Sequence, residues 1–419
     1  MRCPGIEVVP IAGVDPLREP SFTRDLAQRF LVWDAFVGGK RRVDVTPLVL
    51  SHALHEAAIH ASEEVVRVVG RVAELAQNDA GERALYGFDE DTLALASASY
   101  RSGDDAALMR VDLLLDANGT WKACEINADC PGGHNESLGL PRLARAAGFL
   151  GGCDPTHAVD GLVARLRALA DGGAVGILHA TGYAEDLQVC ALVARALEAA
   201  GTRAILAPPT APMARGDELT IQGKPVRVLY RYFPTEWMSG QRNVDAIARA
   251  VERRQVRTVT SFAHVFAQSK LAFARSWAQL SSSDLSPVDR TTCRRHLPET
   301  HDVSEVARAS LLEHRTDWVI KRALGRVGDE VFVGELFEDG RAWASLVDHV
   351  IARASGGERW IAQRFVRQLP ISTPWGQRLV TLGAYVLDGR FAGYFARVTP
   401  RSHVSHDALC VPVFALPKA

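Results

Sequence analysis

The sequence predicts an α+β protein that carries one small parallel α/β unit. Three observations lead there. An apolar run at 111–115, a polar break at Asp116-Ala-Asn118-Gly119 and a second run at 121–126 read as a hairpin over 108–127. A strand at 174–179, an amphipathic helix at 186–200 and a strand at 202–207 form a β-α-β pattern, which implies a parallel sheet. The last third alternates strands at 318–321, 330–334, 360–365, 379–387 and 391–397 with a helix at 341–354.

In chain order, residues 1–100 read as mainly helical, with helices at 22–37, 47–77 and 80–100. In the second, Leu50, Leu54, Ala58, Ala61, Val65 and Val69 recur near helical spacing, with Thr46 as N-cap and Pro47 at the first helical position. The hairpin and a helix at 139–148 make up a region from 101 to 170. The small α/β unit spans 171–245. Its first helix stops at Gly201, and a hairpin turns at Gln222-Gly223. Residues 246–419 hold a helix at 241–254 running in from the preceding unit, a strand at 258–261, a loop at Ser281-Ser-Ser283 and Pro287, and the final strands. The last two strands are joined by Asp388-Gly389, a strong hairpin signal.

Composition narrows the function. Of 419 residues, 47% are hydrophobic and 23% charged, as in ordinary globular proteins. The formal net charge of −1 gives no bulk attraction to nucleic acid or an anionic membrane. No transmembrane run and no signal-peptide core is visible, and seven scattered cysteines without CxxC spacing fit a reducing compartment. A cytoplasmic protein with small-molecule partners is expected, its oligomeric state open and a homodimer among the options.

The chemistry concentrates in Arg110-Val-Asp112 and Glu125-Ile-Asn127-Ala-Asp129. A hairpin brings these carboxylates and the amide together at one sheet end. Such hard oxygens suit Mg2+, and an adjacent arginine suits a phosphate. Lys321, with Gly325 and Gly328 in the turn after it, suits a nucleotide phosphate, although the P-loop order is absent and a lysine snorkelling to water is the plain alternative. Gln363 on an edge strand and Arg397 at a strand end could face a nucleotide. Tyr230 to Met238, with Glu236 inside it, reads as a packed aromatic corner or a cleft wall. His134 could serve as ligand or base, or simply bond to backbone. A Cys130–His134 nucleophile pair lacks a third orienting residue.

In this order, these segments resemble the synthetase domain of glutathionylspermidine synthase, a circularly permuted branch of the ATP-grasp ligases. In most ATP-grasp ligases the Arg-x-Asp and Glu-x-Asn elements follow the nucleotide lysines, whereas here they precede Lys321. The resemblance implies an ATP-grasp fold with a small pre-ATP-grasp-like domain, and ATP and Mg2+ as cofactors. It implies that Asp112, Glu125 and Asn127 hold Mg2+, that Lys270, Lys321 and Gln363 face the nucleotide, and that the Gly325–Gly328 turn covers its phosphates. Arg110 and Arg397 would stabilise the transferring phosphate and a later oxyanion. Asp129, Cys130, Glu185 and Glu236 are the candidate substrate-binding residues. Where the family binds glutathione with two serines, this chain has Cys130 and Gly132, so a different small peptide or amino-acid carboxylate is expected. The amidase domain of bifunctional relatives has no room ahead of the hairpin, so no hydrolase activity is expected.

The activity so implied is amide-bond formation between a carboxylate and an amine through an acyl phosphate, with release of ADP. A catalytically degenerate ATP-binding scaffold or an ATP-grasp phosphotransferase are the alternatives.

Overall fold

The computed structural model describes residues 5–11, 19–325, 328, 330–404 and 408–418. The elements that position the site are helix α1 (His52–Asn78), strands β1 (Leu108–Leu115) and β2 (Trp121–Asn127), and helix α2 (His134–Ala146). Strand β3 (Val175–His179), helix α3 (Ala184–Ala199) and strand β4 (Val228–Tyr232) follow. Strands β5 (Trp318–Arg322), β6 (Trp360–Arg364), β7 (Gly376–Leu387) and β8 (Arg390–Thr399) complete the set.

The predicted hairpin forms and is not isolated. β1 pairs antiparallel with β2 on one side and with β7 on the other, and β7 continues to β8 and Leu409–Val411. The alternation of a strand puts Met109, Val111, Leu113 and Leu115 on the core face of β1 and Arg110 and Asp112 on the other. Helix α1 covers the core face with Ala58, Ala61, Val65, Val68, Val69 and Ala73, all buried. The polar face is thereby left to line a cleft.

The α/β unit has four parallel strands in the order Arg257–Val259, β4, β3, Ala204–Ala207, with α3 as the crossover. The C-terminal ends of such strands are where open α/β sheets place ligands. The last sheet is antiparallel in the order Thr300–Asp302, β6, β5, Val331–Val333. Gln363 therefore lies on an interior strand, not on the expected edge.

Three further expectations are corrected. The helix expected at 22–37 is an α-helix over Pro20–Arg24 continuing as a π-helix over Asp25–Arg29. Leu31 then takes a positive φ of 54° and the chain enters a short hairpin, Phe36–Val37 with Lys40–Arg41. The expected start at Pro47 is wrong because Leu48–Leu50 are all buried in a strand between Ile6–Val8 and Val413–Ala415. Helix α1 starts at His52, with Ser51 accepting from the Leu54 amide. Helix α2 begins at His134, five residues before the expected 139, straight after Gly133 at φ 91°. Helices at Ala158–Ala170, Leu271–Ala278 and Pro287–His296 were not foreseen. No helix among the described residues is long and apolar enough to cross a membrane.

Candidate active site

The polar faces of the β1–β2–β7–β8 sheet and the β5–β6 sheet bound one cleft, closed at a third side by the α/β unit. Its volume is about 1050 Å³, room for a nucleotide and a second molecule together.

At its floor lies Asp112, fully buried. Register places Glu125 opposite Asp112, and Asn127 opposite Arg110, across the β1–β2 ladder. Arg110 donates to both Asp112 oxygens, Nε to Oδ1 at 2.7 Å and Nη2 to Oδ2 at 3.1 Å. Arg397 Nη2 donates to Oδ2 at 2.5 Å from strand β8. Burial alone would push the Asp112 carboxyl up, but the two guanidinium groups outweigh it and hold it well below the carboxylate range. Asn127 Nδ2 reaches Oδ2 at 3.5 Å. Gly383, which pairs with Asp112 on β7, has a reason to be glycine: a Cβ there would meet Arg110 Cδ at 2.7 Å. Both guanidiniums also stand over the Phe395 ring, 5.1 and 5.5 Å from its centroid. Two carboxylates and an amide oxygen fit a hard divalent cation by donor chemistry. Among the described residues no group of three or more His, Cys, Asp or Glu gathers as a metal site, and the third oxygen donor of this set is the Asn127 amide.

The opposite wall supplies Lys321 and Gln363. Lys321 Nζ donates to Gln363 Oε1 at 2.7 Å and to the Cys124 carbonyl at 2.9 Å. The β1–β2 register shifts after Asp112, so Cys124 sits in a bulge and its carbonyl is turned to Lys321. Gln363 Nε2 in turn donates to Thr300 Oγ1 at 3.1 Å, which fixes its amide. Lys270 lies at the joint of two helices, with Nζ 2.7 Å from the Gly325 carbonyl and 3.6 Å from Glu125. The turn at Gly325 and Gly328 borders the cleft, and a Cβ on Gly328 would approach the Val404 carbonyl to 2.5 Å. Arg326, Val327 and Asp329 of that turn lie outside the described residues. Lys321, Gly325, Gly328 and Gln363 thus line one cavity with Asp112, Glu125 and Asn127, and Lys270 reaches that lining through Glu125 and Gly325.

The order of these parts along the chain matches a known arrangement. A family model described as glutathionylspermidine synthase pre-ATP-grasp matches residues 20–413. The chain belongs to that family. A solved glutathione synthetase-like effector from Globodera pallida, in its apo form, is 12% identical. The alignment covers 98% of this chain and 100% of that one, with a TM-score of 0.60. At that identity the likeness speaks for the fold, which is the mixed α/β glutathione synthetase-like, ATP-grasp type. A putative gamma-glutamylcysteine synthetase from Methylobacillus flagellatus KT is 13% identical over 80% of this chain and 83% of its own, with a TM-score of 0.44. No curated protein matches the sequence.

In this member of the glutathionylspermidine synthase family, the loop after Asn127 approaches its neighbours closely. A Cβ on Gly132 would meet Tyr232 Oη at 2.7 Å, and one on Gly133 would meet the Phe395 ring at 2.7 Å. The Gly132 carbonyl accepts from Arg110 Nη1 at 2.8 Å and from the Tyr385 hydroxyl at 2.6 Å. A serine at 132 would need Tyr232 to move. Cys130, Glu185 and Glu236 line the cleft, with Tyr232 and Trp237. The aromatic segment is both of the expected things: Tyr230 packs inside, while Tyr232 and Trp237 form wall. Asp129 is different. It is fully buried, ion-paired with Arg231, and accepts from the Thr235 amide at 2.7 Å and hydroxyl at 2.9 Å. It braces the aromatic segment rather than facing the cleft. Sequence reading gave no role to Asp34, Arg42, Glu136 or Tyr385, which also belong here. Tyr385 carried one signal, its place across from Arg110 on the neighbouring strand.

His134 does not face the Asp112 cluster. It is buried in the first turn of α2, with Tyr232 and Tyr385 rings at 6.3 and 5.7 Å, and Nε2 3.5 Å from the Tyr230 hydroxyl. Burial, helped by Arg110, pushes its pKa down to about 3 from an ordinary 6.5. The unfolded chain therefore binds more protons between those values, and stability is lost as pH falls through that window. His134→Gln is expected to be less acid-sensitive: urea titrations at stepped pH should show its deficit against wild type shrinking from about pH 7 toward about pH 4. A constant deficit would refute a neutral buried His134.

Proposed function

We propose that the protein is an ATP- and Mg2+-dependent carboxylate–amine ligase that forms an amide bond through an acyl phosphate and releases ADP. The observation that carries this reading is Asp112 clamped by Arg110 and Arg397, with Glu125 opposite it and the Lys321–Gln363 pair across the same cavity. Asp112, Glu125 and Asn127 would hold Mg2+, which when bound neutralises charge on phosphate oxygens. Lys321 and Lys270 would contact nucleotide phosphates, and Gln363, hydrogen-bonded to Lys321, would orient it. Arg110 and Arg397 supply fixed positive charge where the phosphoryl group transfers and where the tetrahedral oxyanion develops. Cys130, Glu185 and Glu236 face the substrate end, and Gly132 in place of a side-chain hydroxyl favours a carboxylate other than that of glutathione. A reducing cytoplasmic location is part of the same reading; no disulfide joins the six described cysteines.

The test is ADP release with MgATP and paired carboxylates and amines: amino acids, short peptides including glutathione, and diamines. Release that needs both partners, and a hydroxamate on adding hydroxylamine, is the expected result. Release with a hydroxyl acceptor and no hydroxamate would indicate a phosphotransferase. Nucleotide binding without any release would indicate a scaffold.

A further inference from the structure

We propose that Glu136 is a catalytic residue of this ligase: the base that takes a proton from the attacking amine. This rests on the ligase reading above. Glu136 sits in the first turn of α2, is 95% buried by its 5% exposure, and lines the cleft. Among the described residues its carboxylate has no ion pair within reach, and its hydrogen bond is with its own backbone amide.

Its surroundings place it between two ends of the cavity. From the N-terminal segment Asp34 and Arg42 face it, and from α3 Glu185. Arg42 itself is ion-paired with Asp34 and lies 3.2 Å from Glu185. From β7 the Tyr385 hydroxyl and from Leu409–Val411 the Cys410 thiol also face it. Tyr385 shares the Gly132 carbonyl with Arg110. Glu136 thus joins an acid-rich end, where three carboxylates face one arginine, to the arginine that handles acyl transfer. An arriving ammonium group is drawn to the first and must react near the second.

The chemistry requires such a group. An alkylammonium has no free electron pair. Glu136 takes one proton, the freed pair on nitrogen forms the bond to the acyl carbon, and the carbon–oxygen bond to phosphate breaks with its electrons on phosphate. The second proton lost from nitrogen leaves with the phosphate. Burial, reinforced by Asp34, pushes the Glu136 carboxyl up to about 7, the range in which a base works at neutral pH.

The experiment compares wild type and Glu136→Gln in the full chain, with MgATP and glutathione or a dipeptide as carboxylate. The acceptors are 1,4-diaminobutane, charged at neutral pH, and hydroxylamine, largely uncharged. The diamine rate is expected to fall by about 10²-fold or more while the hydroxylamine rate holds within about threefold. Equal loss with both acceptors, or no loss, overturns the proposal. Glu136→Asp, which keeps the carboxyl, should recover part of the diamine rate if Glu136→Gln folds poorly; equal loss with both acceptors in it also overturns the proposal. If no pair releases ADP with wild type, the ligase reading fails first. Infrared titration of the protein alone then decides Glu136: a neutral carboxyl band missing from Glu136→Gln should persist to about pH 7, and its loss by about pH 5 overturns the proposal.

Discussion

Asp112→Asn is expected to abolish carboxylate- and amine-dependent ADP release, by about 10³-fold or more, while leaving nucleotide affinity much less changed. The side chain holds two guanidiniums at once, Arg110 through both oxygens and Arg397 through Oδ2. A guanidinium fixed on a transferring phosphoryl group is worth about 10³–10⁵ in rate. Asparagine keeps the shape but removes the charge that holds both arginines and, in the proposed function, contributes to holding Mg2+. It also leaves two guanidiniums in a buried cluster without their counter-charge, which costs stability of order 3–5 kcal/mol in comparable buried pairs. The measurement therefore pairs steady-state ADP release with a urea titration at the assay temperature. A folded variant with near-normal ADP release would overturn the metal and phosphoryl assignment of the whole cluster. Glu125→Gln separates the two roles of the cluster, since among the described residues Glu125 makes no hydrogen bond to Arg110 or Arg397 and lies 3.6 Å from Lys270 instead. It should lose activity with a smaller stability change.

Much of this cluster was legible in the sequence because its members are local. Arg110, Asp112, Glu125 and Asn127 lie on one hairpin, and period-two alternation with a short turn sets their register. The same holds for Asp388-Gly389, which joins β7 and β8 as expected and so places Arg397 beside Asp112. The parallel α/β unit was legible from its strand–helix–strand period. What failed was decided at long range. Leu48–Leu50 looks like the start of a helix until Ile6–Val8 and Val413–Ala415 arrive from the two ends of the chain to pair with it. Gln363 looks like an edge residue until Thr300–Asp302 covers its strand. Asp34, Arg42 and Glu136 come from separate segments, and nothing in their local patterns marks them as neighbours. Asp129 carries the same lesson in reverse: it stands in the motif with the ligand residues, yet the next turn of chain points it at Arg231.

That buried pair gives an expected effect on stability as large as that of the Asp112 cluster. The side chains of Arg231 and Asp129 are both fully enclosed, and the guanidinium also donates to the Thr260 carbonyl at 3.0 Å and stands 4.6 Å from the Phe262 ring centroid. Asp129→Ala removes the counter-charge, and with it the acceptor for the Thr235 amide and hydroxyl. Deleting one partner of a buried pair costs about 3–5 kcal/mol, because the other charge stays behind without solvent or partner. Urea unfolding should show a loss in that range. The double variant Asp129→Leu with Arg231→Met should recover a large part of it, since both charges are then gone and the volume is nearly kept. A loss below about 1 kcal/mol in Asp129→Ala would mean that the pair is not the brace described here. The functional consequence follows from position. Thr235 opens the turn that carries Glu236 and Trp237 to the cleft, and Arg231 leaves the end of β4 beside Tyr232. In the double variant the charges are removed without an orphan, but the Thr235 bonds remain lost. It should therefore fold and still bind substrate poorly, with KM for the carboxylate or amine raised more than kcat is lowered. An unchanged KM in that variant would place the substrate wall elsewhere than at Tyr232–Trp237.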